Sequence, residues 1–379
     1  MSRQQYAVLN EITLSRQALL SNYRYYSHRN PQAQIAPVLK SNAYGHGLHE
    51  VASIVEQDLP QAPFICVDSL YEAYELHKLA IKIPTLVMGY TNPHNYSIWK
   101  KLPFHFAVFD QQTLLALNQD QPGAKIHIKL DTGMCRLGLR ARDIPEFIHT
   151  LKLCNNLVVE GIFSHFSQAD NPAKTTFTHR QISLFKTMTA LFENAGFKFK
   201  WKHIAATAGA SFLQDPYFNL VRLGLGFYGY TPFGPHTKEG RVGRQHLLPV
   251  LELTSHIAQI KAVEVGAEVG YGGTYRAKQK ETLAILPLGY NEGLSRSLSN
   301  QGVVTLAGQG VCQIVGNISM NMTTIRLPRG SRTQLGDPVT IISRNSSDPN
   351  SLGRHAQIIN EIDYTLLTGL HPSIRRRII

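Results

Sequence analysis

The stretch Ala36-Pro37-Val38-Leu39-Lys40-Ser41-Asn42-Ala43-Tyr44-Gly45-His46-Gly47 decides how the rest of the chain is read. A short apolar run ends on a single lysine, a polar turn rich in Gly and Asn follows, and a helical pattern begins beyond it. An ammonium at the end of a buried strand is costly unless it is paired or used. One reading is a lysine that snorkels from a strand tip to solvent. The other is a desolvated amine placed to form a Schiff base with a carbonyl compound. The residues of this stretch alone leave both open.

Working outward, short apolar runs alternate with helical patterns from about residue 12 to about residue 235. Strands are expected at 35–39, 64–67, 85–90, 104–109, 125–130, 157–163, 203–205 and 220–223, and helices at 14–26, 49–57, 70–79, 111–117, 144–153 and 178–195. Eight such units in that length suit an α/β fold, an N-terminal (β/α)8 TIM-like barrel. From Val250 onward strand-like runs dominate, at 250–260, 282–287, 303–306, 311–315 and 338–342, which reads as a mostly β C-terminal domain. The polar, Gly/Pro-bearing segment 231–246 reads as the linker, so the expected domains are 1–240 and 241–379, with residues 1–10 pairing with the later one.

Composition narrows the function. The 379 residues are 43% hydrophobic and 17% charged, ordinary for a globular chain. No stretch approaches the length of a membrane span, and the first residues lack an apolar leader, so no membrane is expected. Cys66, Cys135, Cys154 and Cys312 are scattered without metal-ligand spacing, so no metal site is expected and a reducing, cytoplasmic setting is. The net charge of +12 is spread out, its one tight run being Arg375-Arg376-Arg377, without a nucleic-acid-binding motif. No nucleic-acid partner is expected; a pull on small anions is.

In a barrel the C-terminal strand ends face one mouth. Pooling them gathers Lys40 and Tyr44; Lys129, Asp131 and Arg136; Ser164 and His165; His203 and Thr207; and Arg222 with Gly224. Cations, hydroxyls and imidazoles converging from five strand ends suit a phosphorylated, anionic aromatic cofactor that carries a carbonyl. His46 and Asp131 also suit turn caps, and Tyr275 and Tyr290 suit plain packing.

At this point the residues reach a resemblance. The Lys40 stretch resembles the signature of the alanine racemases, fold-type III pyridoxal-phosphate (PLP) enzymes. Lys129-Leu130-Asp131-Thr132-Gly133-Met134-Cys135-Arg136-Leu137-Gly138, Val221-Arg222-Leu223-Gly224, Gly270-Tyr271-Gly272-Gly273-Thr274-Tyr275, Leu288-Gly289-Tyr290 and Asn360-Glu361-Ile362-Asp363-Tyr364 are similar to further blocks, in family order. The resemblance implies a homodimer that interconverts L- and D-alanine for peptidoglycan. Lys40 would be the Schiff-base lysine and one catalytic base, and Tyr271 the opposite base, supplied by the second subunit. Arg222 would meet the pyridine nitrogen, and His165 would lie beside the ring. Tyr44, Thr207, Gly224, Leu225 and Tyr364 would hold the phosphate, and Arg136 with the Met320 backbone the substrate carboxylate. Lys129 matches a lysine that is often carbamylated, which would turn a cation into an anion that orients Arg136. The alternatives are a racemase of another small amino acid such as serine, and a non-catalytic PLP-binding protein.

Three positions depart from the family pattern. Ala206 stands where Asn is common, Asn317 where Arg is usual, and Asn321 where Asp is usual. The last removes an anion near the substrate end.

Overall fold

The computed structural model describes residues 7–379. Eight parallel strands close into a barrel. Six of them pair in sequence order: Ile65–Val67, Thr85–Val87, Phe104–Val108, Lys125–Lys129, Val158–Phe163 and Trp201–His203. The other two, Gln34–Pro37 and Leu220–Leu223, pair with each other from Gln34↔Leu220 to Pro37↔Leu223. A bridge between Val38 and Cys66 closes one seam, and Asn219 N–H to Lys202 O (3.2 Å) with Arg222 N–H to Ala205 O (3.1 Å) closes the other. The expected (β/α)8 class is therefore observed.

The barrel is less regular than the sequence pattern implied. Five α-helices separate its strands: Leu48–Asp58, Leu70–Lys78, Gln111–Asp120, Ile144–Leu153 and Thr175–Asn194. After Thr85–Val87, Trp201–His203 and Leu220–Leu223 the connections carry 3-10 turns instead. Caps set several starts: Asp110 accepts the Thr113 N–H at 2.7 Å, and Ser69 and Glu72 form a reciprocal capping box.

Inside the barrel Phe64, fully buried, is a hub. Its ring lies 5.2 Å from His127, 6.1 Å from Trp201 and 6.2 Å from both His105 and His203, centroid to centroid. These are edge-on and tilted contacts, the geometry that aromatic quadrupoles favour.

The chain divides into two compact units: residues 20–43 with 51–247, which carry the barrel, and residues 7–19, 44–50 and 248–379. The second unit is built on a nine-stranded sheet, in the order Gln259–Val263, Glu281–Leu286, Thr323–Arg326, Gly310–Ile314, Val303–Leu306, Pro338–Ile342, Leu251–His256, Glu11–Leu14 and Arg375–Ile378. The expected pairing of residues 1–10 with this domain falls mostly on 1–6, outside the described residues; Glu11–Leu14 pairs with Leu251–His256.

Two strand or linker expectations change. The single run 250–260 is two strands that lie apart in the sheet. The expected linker holds a helix, Lys238–His246, capped by Thr237, whose side chain accepts the Gly240 N–H at 3.0 Å. Its glycines hid it: Gly240 and Gly243 are buried because the helix backbone lies close against Gly234 and Thr231. The basic run Arg375-Arg376-Arg377 lies in an edge strand. Alternation sends Arg377 to Glu11 (2.8 Å) and Arg376 to the opposite face, where it donates to Gly45 O at 2.8 Å.

Phe64→Ala removes the hub and leaves a cavity the surrounding rings cannot fill. It should cost about 3–5 kcal/mol. The check is chemical denaturation followed by tryptophan fluorescence, since Trp99 and Trp201 both lie in the barrel unit.

Candidate active site

Lys40 follows the strand Gln34–Pro37 and is half-buried. The strand end is pinned by Tyr228, whose hydroxyl donates to Val38 O at 2.9 Å, and by Leu39 N–H to Cys66 O at 2.8 Å. After Lys40 the backbone turns left-handed for four residues: Ser41, Asn42, Ala43 and Tyr44 have φ of 55°, 54°, 52° and 53°. Such a turn costs roughly 1–2 kcal/mol per non-glycine residue. Glu72 offsets part of that cost. Its carboxylate accepts the N–H groups of Ser41 (2.5 Å) and Asn42 (3.4 Å) as well as those of Asp68 (2.9 Å) and Ser69 (3.4 Å). One carboxylate thus ties the lysine's turn to a helix cap, and strained backbone of this kind marks a functional position.

Arg222 is 3% exposed and lies in the strand Leu220–Leu223. Its guanidinium donates to His203 Nδ1 (2.5 Å), Ser164 O (2.7 Å), His165 Nδ1 (3.2 Å) and Ile204 O (3.3 Å). Burial and this cation push His203 well below the usual imidazole range. His165 falls to about 3, through burial and then Arg222, Arg136, Lys40 and Lys129. Both imidazoles are therefore neutral acceptors for Arg222.

Lys129 is 8% exposed, its ammonium lying 5.5 Å from the Phe163 ring centroid and 3.4 Å from Met88 O. Burial and the charges of Arg136, Arg222 and Lys40 bring it down to about 8, against the opposing pull of Asp68. Arg136 leaves a loop whose turn is held by Asp131. The carboxylate Oδ1 of Asp131 accepts the N–H groups of Gly133, Met134 and Cys135 at 2.9–3.0 Å, which settles that residue as a turn cap. Among the described residues none of Lys40, Lys129 and Arg136 has a carboxylate within ion-pair distance. Thr207, buried, accepts the Gly226 N–H at 3.1 Å and keeps its own hydroxyl proton to donate. Gly224 and Leu225 open the 3-10 turn Leu225–Tyr228 beside it. This face of the barrel holds four cationic groups, neutral imidazoles and a hydroxyl donor, a donor set that suits a phosphorylated anion with a carboxylate-bearing substrate.

In the second unit Tyr44 and Tyr364 pack with ring centroids 5.9 Å apart. Tyr271 sits in a tight turn with Gly270 at φ 74° and Gly272 at φ 73°, and its side chain is 74% exposed; Met320 is 56% exposed. Asn317 donates to Tyr271 O at 2.8 Å and so clamps that turn. Asn321 donates to Glu292 Oε1 at 2.8 Å. Burial raises Glu292, but hydrogen bonds from Asn291, the Gly289 N–H and Asn321 outweigh it and leave the carboxyl below its ordinary value. Tyr275 donates to Glu281 (2.8 Å) and accepts from Arg326 (3.1 Å), a packing role.

Sequence reasoning gathered His203 but missed Glu72, and it missed the buried groups that continue from His203 behind Arg222: His127, His105 and Glu160. The available signal was a polar residue inside each of several apolar strands.

The profile "Alanine racemase, N-terminal domain" matches residues 14–232, and "Alanine racemase, C-terminal domain" matches 250–378. The chain belongs to the alanine racemase family. It is 35% identical to an alanine racemase of Streptococcus suis, covering 96% of this chain and 97% of that one, and 33% identical to one of Streptococcus mutans, covering 94% and 93%. Among solved structures, an alanine racemase of Clostridium difficile superposes with a TM-score of 0.90 at 28% identity, over 99% of this chain and 97% of that one. A histidine racemase from Leuconostoc mesenteroides gives 0.88 at 25% identity, over 99% of each. The chain is an isomerase, a racemase.

The depressed Lys129 has a measurable consequence. Its ammonium titrates near 8 in the folded protein and near 10.5 when unfolded. Unfolding therefore takes up a proton between those values, and stability should rise with pH through that window. In cofactor-free protein without bicarbonate, denaturation midpoints should climb from pH 8 to pH 10.5, and Lys129→Met should flatten the climb.

Proposed function

We propose that the chain is a PLP-dependent alanine racemase that interconverts L- and D-alanine by two bases, works as a homodimer in the cytoplasm, and supplies D-alanine for peptidoglycan. The observation that carries this reading is the set of cations on one barrel face, Lys40, Lys129, Arg136 and Arg222, around the neutral His165. Bound there through Lys40, the cofactor would supply a delocalised sink for the electrons left when the substrate Cα loses its proton.

The protein's own groups do the rest. Racemisation removes a proton from one face of Cα and returns one to the other, so it needs an acid–base group on each face. Lys40 Nζ takes one role and the Tyr271 hydroxyl the other. Arg222 has only donors and keeps its proton, so at the ring nitrogen it offers a hydrogen bond and holds the sink weak. By withholding its proton there, Arg222 would limit protonation at the wrong carbon. Thr207, Tyr44, Tyr364 and the backbone at Gly224 and Leu225 hold the phosphate, while Arg136 and the Met320 backbone hold the substrate carboxylate. The neutral fraction of Lys129 favours reaction with carbon dioxide, and a carbamate there would orient Arg136. The exposure of Tyr271 and Met320 supports a shared site, since a base that works out of water needs a cover that a second copy supplies.

A racemisation assay of PLP-loaded protein against a panel of L-amino acids should give alanine the highest kcat/KM. A higher value for serine would favour the second reading, to which the Asn321 departure points. Lys40→Ala should abolish the cofactor's long-wavelength absorbance; a borohydride-reducible link that survives would sink the Lys40 assignment. Tyr271→Phe should impair exchange of the Cα proton with deuterium mainly from one enantiomer, and equal loss from both would count against two bases. Mixing Lys40→Ala with Tyr271→Phe subunits should restore activity, because one hybrid site regains both bases.

A further inference from the structure

Behind Arg222 a line of buried side chains runs along the barrel interior. His203 Nε2 lies 3.1 Å from His127 Nδ1. His127 is fully buried and His105 is 7% exposed. One ligating atom each of His105, His127 and Glu160 lies within 4.8 Å of the other two. Glu160 Oε1 pairs with Lys125 at 2.6 Å, and Oε2 lies 3.6 Å from His105 Nδ1.

The direction of every bond in this line is fixed from the Arg222 end. A guanidinium only donates, so His203 Nδ1 must accept. Neutral His203 then carries its proton on Nε2 and donates it to His127 Nδ1. Neutral His127 in turn carries its proton on Nε2. That N–H is buried and has no partner among the described residues, and neither has His105 Nδ1. A gap too long for direct hydrogen bonds, ringed by a buried donor, an imidazole and a carboxylate, fits one ordered water with three partners. A divalent cation would need a lone pair on His127 Nε2, which is the tautomer the Arg222 end forbids.

The strand geometry builds this arrangement. Between Ile126↔Val159 and His127↔Gly161 the register skips Glu160, a bulge that turns this carboxylate out of the ordinary alternation. Its neighbour has to be glycine, because a Cβ at Gly161 would meet His127 Nδ1 at 2.3 Å.

We propose that His127, backed by a water held between His105 and Glu160, is a positioning residue for the reaction: it locks His203 in the tautomer that accepts from Arg222. Without that acceptor His203 can carry its proton on Nδ1, facing the guanidinium, and Arg222 loses the shortest of its hydrogen bonds. The proposal rests on the reading that Arg222 meets the cofactor's ring nitrogen.

The test is nitrogen NMR of 15N-histidine-labelled, PLP-loaded protein, with visible absorption and kinetics on the same samples. The native protein should show His203 and His127 protonated on Nε2 alone. In His127→Leu the His203 signals should move toward a tautomer mixture, the cofactor's absorption should shift, and kcat should fall about three- to tenfold with KM little changed, the scale of one lost hydrogen bond. His127→Gln, which restores a carbonyl acceptor, should recover most of all three. Should His127→Leu not fold, Gly161→Ala displaces the same ring and should give the same signature. A lower melting midpoint with unchanged His203 signals and absorption would overturn the proposal, leaving His127 a packing residue. Tight Zn2+ retention that depends on His127 would also overturn it. A changed His203 signal with unchanged absorption would place the failure in the Arg222 assignment instead.

Discussion

The structure depends on a buried guanidinium held by neutral partners. A charge as deeply buried as Arg222 is tolerated when its donors are satisfied. The acceptors shown for it are imidazole nitrogens and main-chain carbonyls. These partners carry no formal charge, and the field of the guanidinium reaches through the barrel. It helps to keep His203, His165 and His127 neutral and to lower Lys129. A barrel face that gathers four cations, two of them deeply buried, attracts an anion strongly.

The left-handed turn after Lys40 is the second constraint, and it works on position rather than charge. Four residues in a disfavoured region fix where the lysine amine leaves the backbone, and Glu72 fixes the turn. The same carboxylate closes the capping box of Leu70–Lys78, so the turn after Lys40 is registered to a helix start. This rigidity suits chemistry that needs an amine within a fraction of an ångström of its target.

Most of the barrel was legible because its strands are apolar runs bounded by turns and its larger helices keep their period. The strand-end residues were legible because cations and imidazoles are out of place there. What the sequence hid has physical causes. Lys238–His246 is rich in glycine and charge, and only close packing makes it a helix. Arg375–Ile378 looks like solvated charge until Glu11 and Gly45 take alternate arginines. The line from His203 to Glu160 joins residues far apart in sequence, and a bulge that no local pattern marks aims its last member.

The departures from the family pattern acquire definite roles once the turns are seen. Asn317 uses its amide to hold the Tyr271 carbonyl, work that a longer guanidinium would perform from a different place. Asn321 lacks the expected charge but donates to Glu292, whose carboxyl stays ionised. An anion thus persists one hydrogen bond away from where the pattern has one. A fold that also superposes on a histidine racemase cannot itself choose the substrate. Under the proposed function the choice falls to short-range contacts, and Asn321, hydrogen-bonded to Glu292, is one position where this chain departs from the family pattern.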